Sequence, residues 1–343
     1  MKVSFLVTYY NQHDYVSQSL NSILKTEKPC DWEILVGDDG STDSTTDEVQ
    51  RYVKQYPDNI RCFVMPRDSN VRYDSVLRAS ANRLNLLDHA DGDYFMMLDG
   101  DDYYTDVGFL FDALAVLNTR DDISVVAFNY KEYTDGKSGS VKGIPSVLDN
   151  SVIPKTEYIK NYYTHAGACV YRRQKALDAY ESARRTGYYD DNDIVIHSLC
   201  YGDMFFINKC IYAYRQTQGS VFNSMDMLEQ DVLNTLGMDA EMSMTGGLFD
   251  SALVYRYSDP LLALYRNRYS VSDKLDKVKV ERYIKGSKSL ERSACRVLLD
   301  YRSSDASERA YIKSLIRSVP FRRALIQFVL GVKRRIKRAG TDN

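Results

Sequence analysis

Short apolar runs alternate with segments of helical spacing along the first hundred residues. Val3–Val7 is a run of strand length, and Val16, Leu20, Ile23 and Leu24 then recur at the spacing of one helical face, with Asp14 placed to cap that helix. Trp32–Val36 reads as a second buried strand, Ile60–Met65 as a third and Tyr94–Leu98 as a fourth. Helices are expected around Thr46–Tyr56 and Ser75–Asp88. Buried strands alternating with helices predict an α/β fold with a mostly parallel sheet flanked by helices. A helix near Val107–Asn118, a strand at Ser124–Tyr130 and a polar hairpin around Thr134–Lys142 follow. Asn161–Tyr171 reads as a strand region, Ile194–Tyr201 as a helix and Phe205–Tyr214 as a strand. From about Met225 the pattern is helical to the end. The expected division is a domain over 1–224 and a helical region over 225–343, with no repeat and no low-complexity linker.

Open α/β sheets bind ligands outside the carboxyl ends of their strands. Three polar clusters fall at those ends: Thr8-Tyr9-Tyr10-Asn11, Asp38-Asp39 and Asp99-Gly100-Asp101-Asp102. The last places three carboxylates within four residues directly after an apolar strand, where like charges repel unless a cation or partner neutralises them. Hard oxygen ligands suit Mg²⁺ or Mn²⁺, which commonly keep substrate phosphates as further ligands. A helix-capping acidic turn accounts for one of these acids and poorly for three.

Composition narrows the classes. At 343 residues the chain exceeds a single large core, so one large domain plus a smaller one is expected. Tyrosine occurs 28 times against a single tryptophan, which suits sugar-binding surfaces and half-buried strand positions equally. Arg317, Arg322, Arg323, Lys333, Arg334, Arg335, Lys337 and Arg338 crowd the C-terminus while the whole chain carries a net charge of −2, so its body is acidic and no nucleic acid is expected as partner. The six cysteines form no C-x-x-C pair and read as free thiols of a reducing compartment. No signal-peptide pattern precedes the first strand, and no apolar run approaches the roughly 20 residues that span a bilayer. A cytoplasmic location is expected.

Val7-Thr8-Tyr9-Tyr10-Asn11, Gly37-Asp38-Asp39-Gly40-Ser41-Thr42-Asp43 and Asp99-Gly100-Asp101-Asp102 together resemble, in order and spacing, the three signatures of family 2 glycosyltransferases of the GT-A fold. The resemblance covers about residues 1–222. It implies metal-dependent inverting transfer of a sugar from a nucleotide-sugar to an acceptor hydroxyl, with Mn²⁺ or Mg²⁺ as cofactor. It assigns Thr8, Tyr10 and Asp39 to the nucleobase and ribose, and an Asp39 that accepts from a uracil N–H favours a UDP-sugar. Asp99 matches a ribose or metal contact, and Asp101 and Asp102 match the metal-facing positions. Asp43 reads as a helix cap.

In similar enzymes the general base is the Asp of an E-D pair opening a helix. Asp190-Asp191-Asn192-Asp193 matches with Asp191 on the base, and a slip of two residues puts Asp193 there instead. N-terminal helix capping is the competing explanation for these acids. Tyr214-Arg215 and Ser220 resemble the family's Y-R-x-H…S segment, which makes Arg215 a donor-diphosphate contact or a plain surface residue. The family's His is replaced by Thr217. The segment between the third and fourth strands departs from the family pattern, so Arg78 and Arg83 are alternative phosphate contacts or plain solvated helix residues. His165 falls where similar enzymes line the acceptor pocket, although a lone His in a strand is more often structural.

Ala324, Leu325, Phe328, Val329, Val332 and Ile336 share one face of an expected basic helix from Pro320 to Arg338. Such a helix lies on an anionic membrane or packs on the body with a solvated basic end. The first option suits a glycan or lipid-linked glycan acceptor in surface polysaccharide synthesis, and peripheral attachment to the inner membrane face. Two other classes compete: a sugar-nucleotide nucleotidyltransferase, disfavoured because no Gly-rich basic loop follows the first strand, and a nucleotide-sugar-binding protein without turnover.

Overall fold

The computed structural model describes residues 1–319 except 72, 135–136, 177, 217–224, 288–289 and 291. It divides into two compact units, Met1–Ser220 and Val221–Asn343.

In the first unit one ten-stranded sheet is built from β1 (Lys2–Tyr9), β2 (Asp31–Asp38), β3 (Ile60–Val64), β4 (Tyr94–Asp99), β5 (Tyr103–Tyr104), β6 (Ile123–Thr134), β7 (Lys137–Lys142), β8 (Ser151–Ile153), β9 (Cys169–Arg172) and β10 (Asp203–Gln216). Its order is β3-β2-β1-β4-β9-β6-β10-β5, with β7 added to β6 and β8 to β10. The helices are α1 (His13–Lys25), α2 (Thr45–Gln55), α3 (Ser75–His89), α4 (Phe109–Leu117), α5 (Lys155–Asn161), α6 (Glu181–Thr186) and α7 (Asp191–Ser198).

β1, β2, β3 and β4 are parallel, and the apolar residues of β1, β2 and β4 are buried on both faces, which is why they read as unbroken runs rather than alternating ones, while the edge strand β3 is only partly covered. The sheet is mixed beyond β4. β9 enters antiparallel between β4 and β6, and β10 then runs parallel to β6. Val16, Leu20 and Ile23 of α1 are fully buried in the same core as Val3, Phe5 and Val7, each burial contributing about 1.5–3 kcal/mol. The first-turn residue of α1 is His13 with Gln12 at the cap position, so Asp14 lies inside the helix rather than capping it.

The stretch expected as one strand at Asn161–Tyr171 is divided. α5 ends at Asn161, a tight 3₁₀ turn occupies Ala166–Ala168, and β9 starts at Cys169. Gly167 allows this turn to press on Tyr212, since a Cβ there would come within 2.3 Å of the Tyr212 ring. His165 therefore precedes a turn and does not sit within a strand.

The second unit is helical: α8 (Met227–Met244), α9 (Asp250–Arg256), α10 (Ser258–Asn267), α11 (Val271–Lys274), α12 (Lys277–Gly286), α13 (Ala294–Leu299) and α14 (Ala306–Ser318). The buried Asp239 of α8 ties down the start of α13, accepting from Ser293 Oγ at 2.8 Å, Ala294 N–H at 2.9 Å and Cys295 N–H at 2.8 Å. The basic amphipathic helix expected from Pro320 onward lies outside the described residues, as do Thr217 and Ser220. Among the described residues no helix is long and apolar enough to cross a membrane.

Candidate active site

The strand order turns back at β1: the chain goes out through β2 and β3, then returns to add β4 on the other side. The crevice at such a reversal, at the carboxyl ends of the strands, is where open sheets bind ligands. Thr8 is in register with Asp99, and its Oγ1 donates to Asp99 Oδ1 at 3.1 Å. Asn11 has φ 51, a left-handed conformation that Asn tolerates well. From there its N–H reaches Ser41 Oγ at 2.9 Å and its Oδ1 accepts from Thr42 N–H at 2.8 Å, so the loops after β1 and β2 are one structure.

Asp38 and Asp39 divide their work. Asp38 is buried and accepts from the Ser41 backbone and hydroxyl and from the Thr46 hydroxyl, which shapes the loop. Asp39 faces two guanidinium groups. Arg78 Nε donates to its Oδ1 at 2.6 Å, Arg67 pairs with its Oδ2, and Arg67 Nε reaches its carbonyl at 2.6 Å. Arg67 also lies over the Tyr10 ring at 3.9 Å, while Arg78 lies over Tyr73 at 4.8 Å. The Tyr10 side remains 42% exposed, which leaves a flat aromatic surface beside a charged hydrogen-bonding edge.

The acidic cluster also separates into individual roles. Gly100 N–H donates to the Thr8 carbonyl at 2.9 Å, and a Cβ on Gly100 would fall 2.1 Å from the Tyr9 ring, so the turn closes onto β1 only with glycine. Asp99 accepts from Arg83 Nη2 at 3.0 Å, and its carboxyl is held below the usual range although burial opposes this; Arg83 is the largest stabilising influence. Asp101 is different: burial, then the charge of Asp99, pushes its carboxyl up to about 6. Asp102 is 1% exposed and turned into the sheet, where its Oδ2 accepts from Tyr212 Oη at 2.6 Å and its Oδ1 from Arg215 N–H at 2.7 Å. Burial and the neighbouring acids raise its carboxyl well above the ordinary value. Asp102 was expected to face a metal beside Asp101. In the structure each of its two oxygens accepts a hydrogen bond from β10, one from Tyr212 and one from the Arg215 backbone.

Arg215 is not a free surface residue. Its guanidinium donates to the Asp101 carbonyl and to Gln18 Oε1 at 2.6 Å, and it lies over the Tyr15 ring at 4.5 Å. This clasps β10 and α1 onto the acidic turn.

α7 starts with a reciprocal cap. Asp190 accepts from Asn192 N–H at 3.0 Å and Asp193 N–H at 3.3 Å, while Asp193 Oδ2 accepts from Asp190 N–H at 2.8 Å. Asp193 is 2% exposed and engaged in this cap. Asp191, the residue between them in the turn, projects toward the acidic cluster with 29% of its side chain exposed. Its Oδ1 lies 3.4 Å from Arg83 Nη2, the same nitrogen that binds Asp99, and its Oδ2 lies 3.3 Å from His165 Nε2. Burial raises the Asp191 carboxyl, while His165 and Arg83 pull it down. Asp43 accepts from Thr45 N–H at 2.9 Å and His13 N–H at 3.3 Å, a link between the starts of α2 and α1.

Two cation positions can be compared. Asp99, His165 and Asp191 offer ligand atoms within 4.8 Å of one another, but Arg83 already supplies a positive charge to both carboxylates there. Among the described residues of the acidic turn Asp99 is the one that is ion-paired, and burial together with the charge of Asp99 raises the Asp101 carboxyl although Arg215 and Gln12 pull it down. The carboxylate oxygens of Asp101 are hard donors of the type that Mg²⁺ or Mn²⁺ takes. Arg67, Tyr73, Gln18 and Tyr212 also belong to the site, and the sequence reading passed over all four. Tyr212 carried a usable signal, since it stands two residues from Tyr214 and thus on the same strand face. Arg78 and Arg83, left as alternatives by the sequence, both enter the site and serve different acids.

A sheet with a switch-point crevice, an Arg-clamped aspartate beside an exposed aromatic ring, and an acidic turn facing a second carboxylate defines a GT-A-like fold with its polar site at the strand ends. The glycosyl transferase family 2 model matches residues 4–178, and the chain belongs to that family. It is 30% identical over 196 residues to a putative glycosyltransferase of Bacillus subtilis, EpsE, covering 56% of this chain and 65% of that one. It is 34% identical over 104 residues to a poly(ribitol-phosphate) beta-glucosyltransferase of Bacillus spizizenii, covering 30% of this chain and 15% of that one. The chain thus spans less than two thirds of the length of these relatives. Among solved structures, S. aureus TarS 1-349 in complex with UDP-GlcNAc shares the fold, with a TM-score of 0.54 at 19% identity over 94% of this chain and 92% of that one.

Proposed function

We propose that this chain transfers a sugar from a UDP-sugar to a hydroxyl of a glycan or lipid-linked glycan, with inversion, in the synthesis of a cell-surface polymer. The observation that carries the proposal is the shared guanidinium: Arg83 Nη2 stands 3.0 Å from Asp99 and 3.4 Å from Asp191, which brings a donor-side acid and a base into one small site. The names of its relatives, a poly(ribitol-phosphate) beta-glucosyltransferase and a TarS structure holding UDP-GlcNAc, support the substrate class.

In this reading the nucleobase lies against Tyr10, with its hydrogen-bonding edge toward Asp39 and Arg78. Thr8 and Asp99 face the ribose. Asp101 would hold Mn²⁺ or Mg²⁺, which would supply positive charge to the departing diphosphate. Arg215 keeps the acidic turn closed and adds a cationic edge for the same phosphates. Asp191 accepts the proton of the acceptor hydroxyl as the new bond forms at the anomeric carbon. Burial raises its carboxyl, which favours the role of base. The acceptor would be presented from a membrane surface, with the basic C-terminal segment as the contact and the cytoplasm as the compartment.

Thermal-shift measurements with UDP-, GDP-, CDP- and dTDP-sugars, with and without Mn²⁺, test the donor. A shift confined to UDP compounds and abolished by EDTA is expected. A shift with another nucleotide alone overturns the donor assignment. Asp191→Asn should abolish transfer while leaving that shift in place.

A further inference from the structure

We propose that His165 is a positioning residue for Asp191: held in one tautomer by the Gly167 amide, it presents its Nε2–H to one carboxylate oxygen and orients the base. The proposal rests on the reading of Asp191 as the base.

The tautomer follows from one backbone bond. Gly167 N–H donates to His165 Nδ1 at 3.1 Å. A ring nitrogen that accepts a hydrogen bond carries no proton, so the neutral ring bears its proton on Nε2. That nitrogen lies 3.3 Å from Asp191 Oδ2. Ring inversion is opposed by packing: His165 is 4% exposed and stacks on Tyr212 with centroids 4.7 Å apart and planes 26° apart. Tyr214 closes a further side at 4.8 Å. The turn that delivers the Gly167 amide exists because that residue has no side chain to collide with Tyr212.

The two oxygens of Asp191 consequently have different partners. Oδ1 faces Arg83 and Oδ2 faces His165, which sets the plane of the carboxylate. The other titratable groups around it are the acids Asp99 and Asp190, the tyrosines Tyr130, Tyr163, Tyr171 and Tyr214, and the thiol of Cys169. During transfer the acceptor's proton moves to Asp191, and His165 keeps its own. A doubly protonated ring would set Nδ1–H against the Gly167 N–H, donor against donor. His165 thus acts as a fixed donor through Nε2 and not as a proton relay.

The chain has four histidines, so the His165 ring nitrogens can be assigned in a ¹⁵N-histidine-labelled sample by comparison with His165→Gln. Long-range ¹H–¹⁵N spectra should show a single Nε2–H tautomer across neutral pH. An Nδ1–H tautomer, or a rapidly exchanging mixture, overturns the proposal. In parallel, UDP release from UDP-N-acetylglucosamine and UDP-glucose is followed against pH. His165→Ala should lower kcat about 10- to 100-fold with KM little changed, and should move the acid limb of kcat/KM upward because a donor to the carboxylate is lost. His165→Gln, which offers an N–H at similar reach, should recover most of both. A folded His165→Ala with unaltered kcat and acid limb overturns the proposal while leaving the base in place. Undiminished turnover by Asp191→Asn overturns the base reading and the proposal with it. If the unaltered protein releases no UDP, the functional reading falls, and the tautomer measurement still decides where the His165 proton resides.

Discussion

Tyr212 Oη donates to Asp102 Oδ2 at 2.6 Å, joining β10 to the acidic turn across 110 residues of sequence. Both groups are buried, so neither has water as an alternative partner. Tyr212→Phe keeps the ring against His165 and removes only the hydroxyl. It should destabilise the protein by about 1–3 kcal/mol in urea unfolding, through the unsatisfied Asp102 oxygen. The loss should shrink at acid pH, where Asp102 is neutral in both states. A stability equal to that of the unaltered protein would mean that Asp102 finds another donor.

Asp39 is balanced by two cations, and the exposed ring of Tyr10 stacks under one of them. Arg78→Leu removes a hydrogen-bonded charge from the proposed nucleobase edge. UDP affinity measured by calorimetry should fall about tenfold or more, since bonds to charged groups contribute about 1.5–3 kcal/mol. Arg83→Leu should leave UDP affinity less affected and should lower turnover instead, because Arg83 serves Asp99 and Asp191 rather than Asp39.

Divalent-ion binding should depend on Asp101 far more than on Asp102. Asp101→Asn should remove Mn²⁺-dependent thermal stabilisation in the presence of UDP, and EDTA should have the same effect on the unaltered protein. Asp102→Asn should keep the Mn²⁺ response and change the baseline stability. The reverse pattern would return Asp102 to the ion.

His197 supplies a pH-dependent contribution to stability at the far side of α7. Burial lowers its pKa from 6.5 to about 4. A depressed pKa means that the folded protein binds fewer protons than the unfolded chain between these values. The contribution is therefore complete above about 6.5 and is lost as the pH falls toward 4, an effect of up to about 3 kcal/mol. Urea midpoints between these pH values should drop for the unaltered protein and drop less for His197→Gln.

Much of the fold was legible because its first half obeys one rule: buried parallel strands are short apolar runs separated by helices. β1 to β4 and α3 fall where the pattern places them. The antiparallel entry of β9 was not legible, since its four residues carry no alternation and its position is fixed by Gly167 meeting Tyr212. In the site, the strand-end acids were visible because charge clustered after an apolar run is unusual. Which way each acid points was not. Asp102 differs from Asp101 only through Tyr212 and the Arg215 amide, which come from a strand more than a hundred residues later. The choice between Asp191 and Asp193 is likewise a matter of geometry: both open α7, and the reciprocal cap engages Asp193 while Asp191 is turned toward Arg83.

The placement of β9 also has a consequence for biosynthesis. β4 bonds to β1 on one side, and on the other only through Tyr94 and Phe95 to Arg172 and Tyr171. A nascent chain emerging from the ribosome completes β1 to β4 well before residue 169 appears, leaving an apolar strand with a bare edge in the middle of the future sheet. Translational pausing before that point would prolong the exposure, and truncated products ending there would be prone to pair with one another.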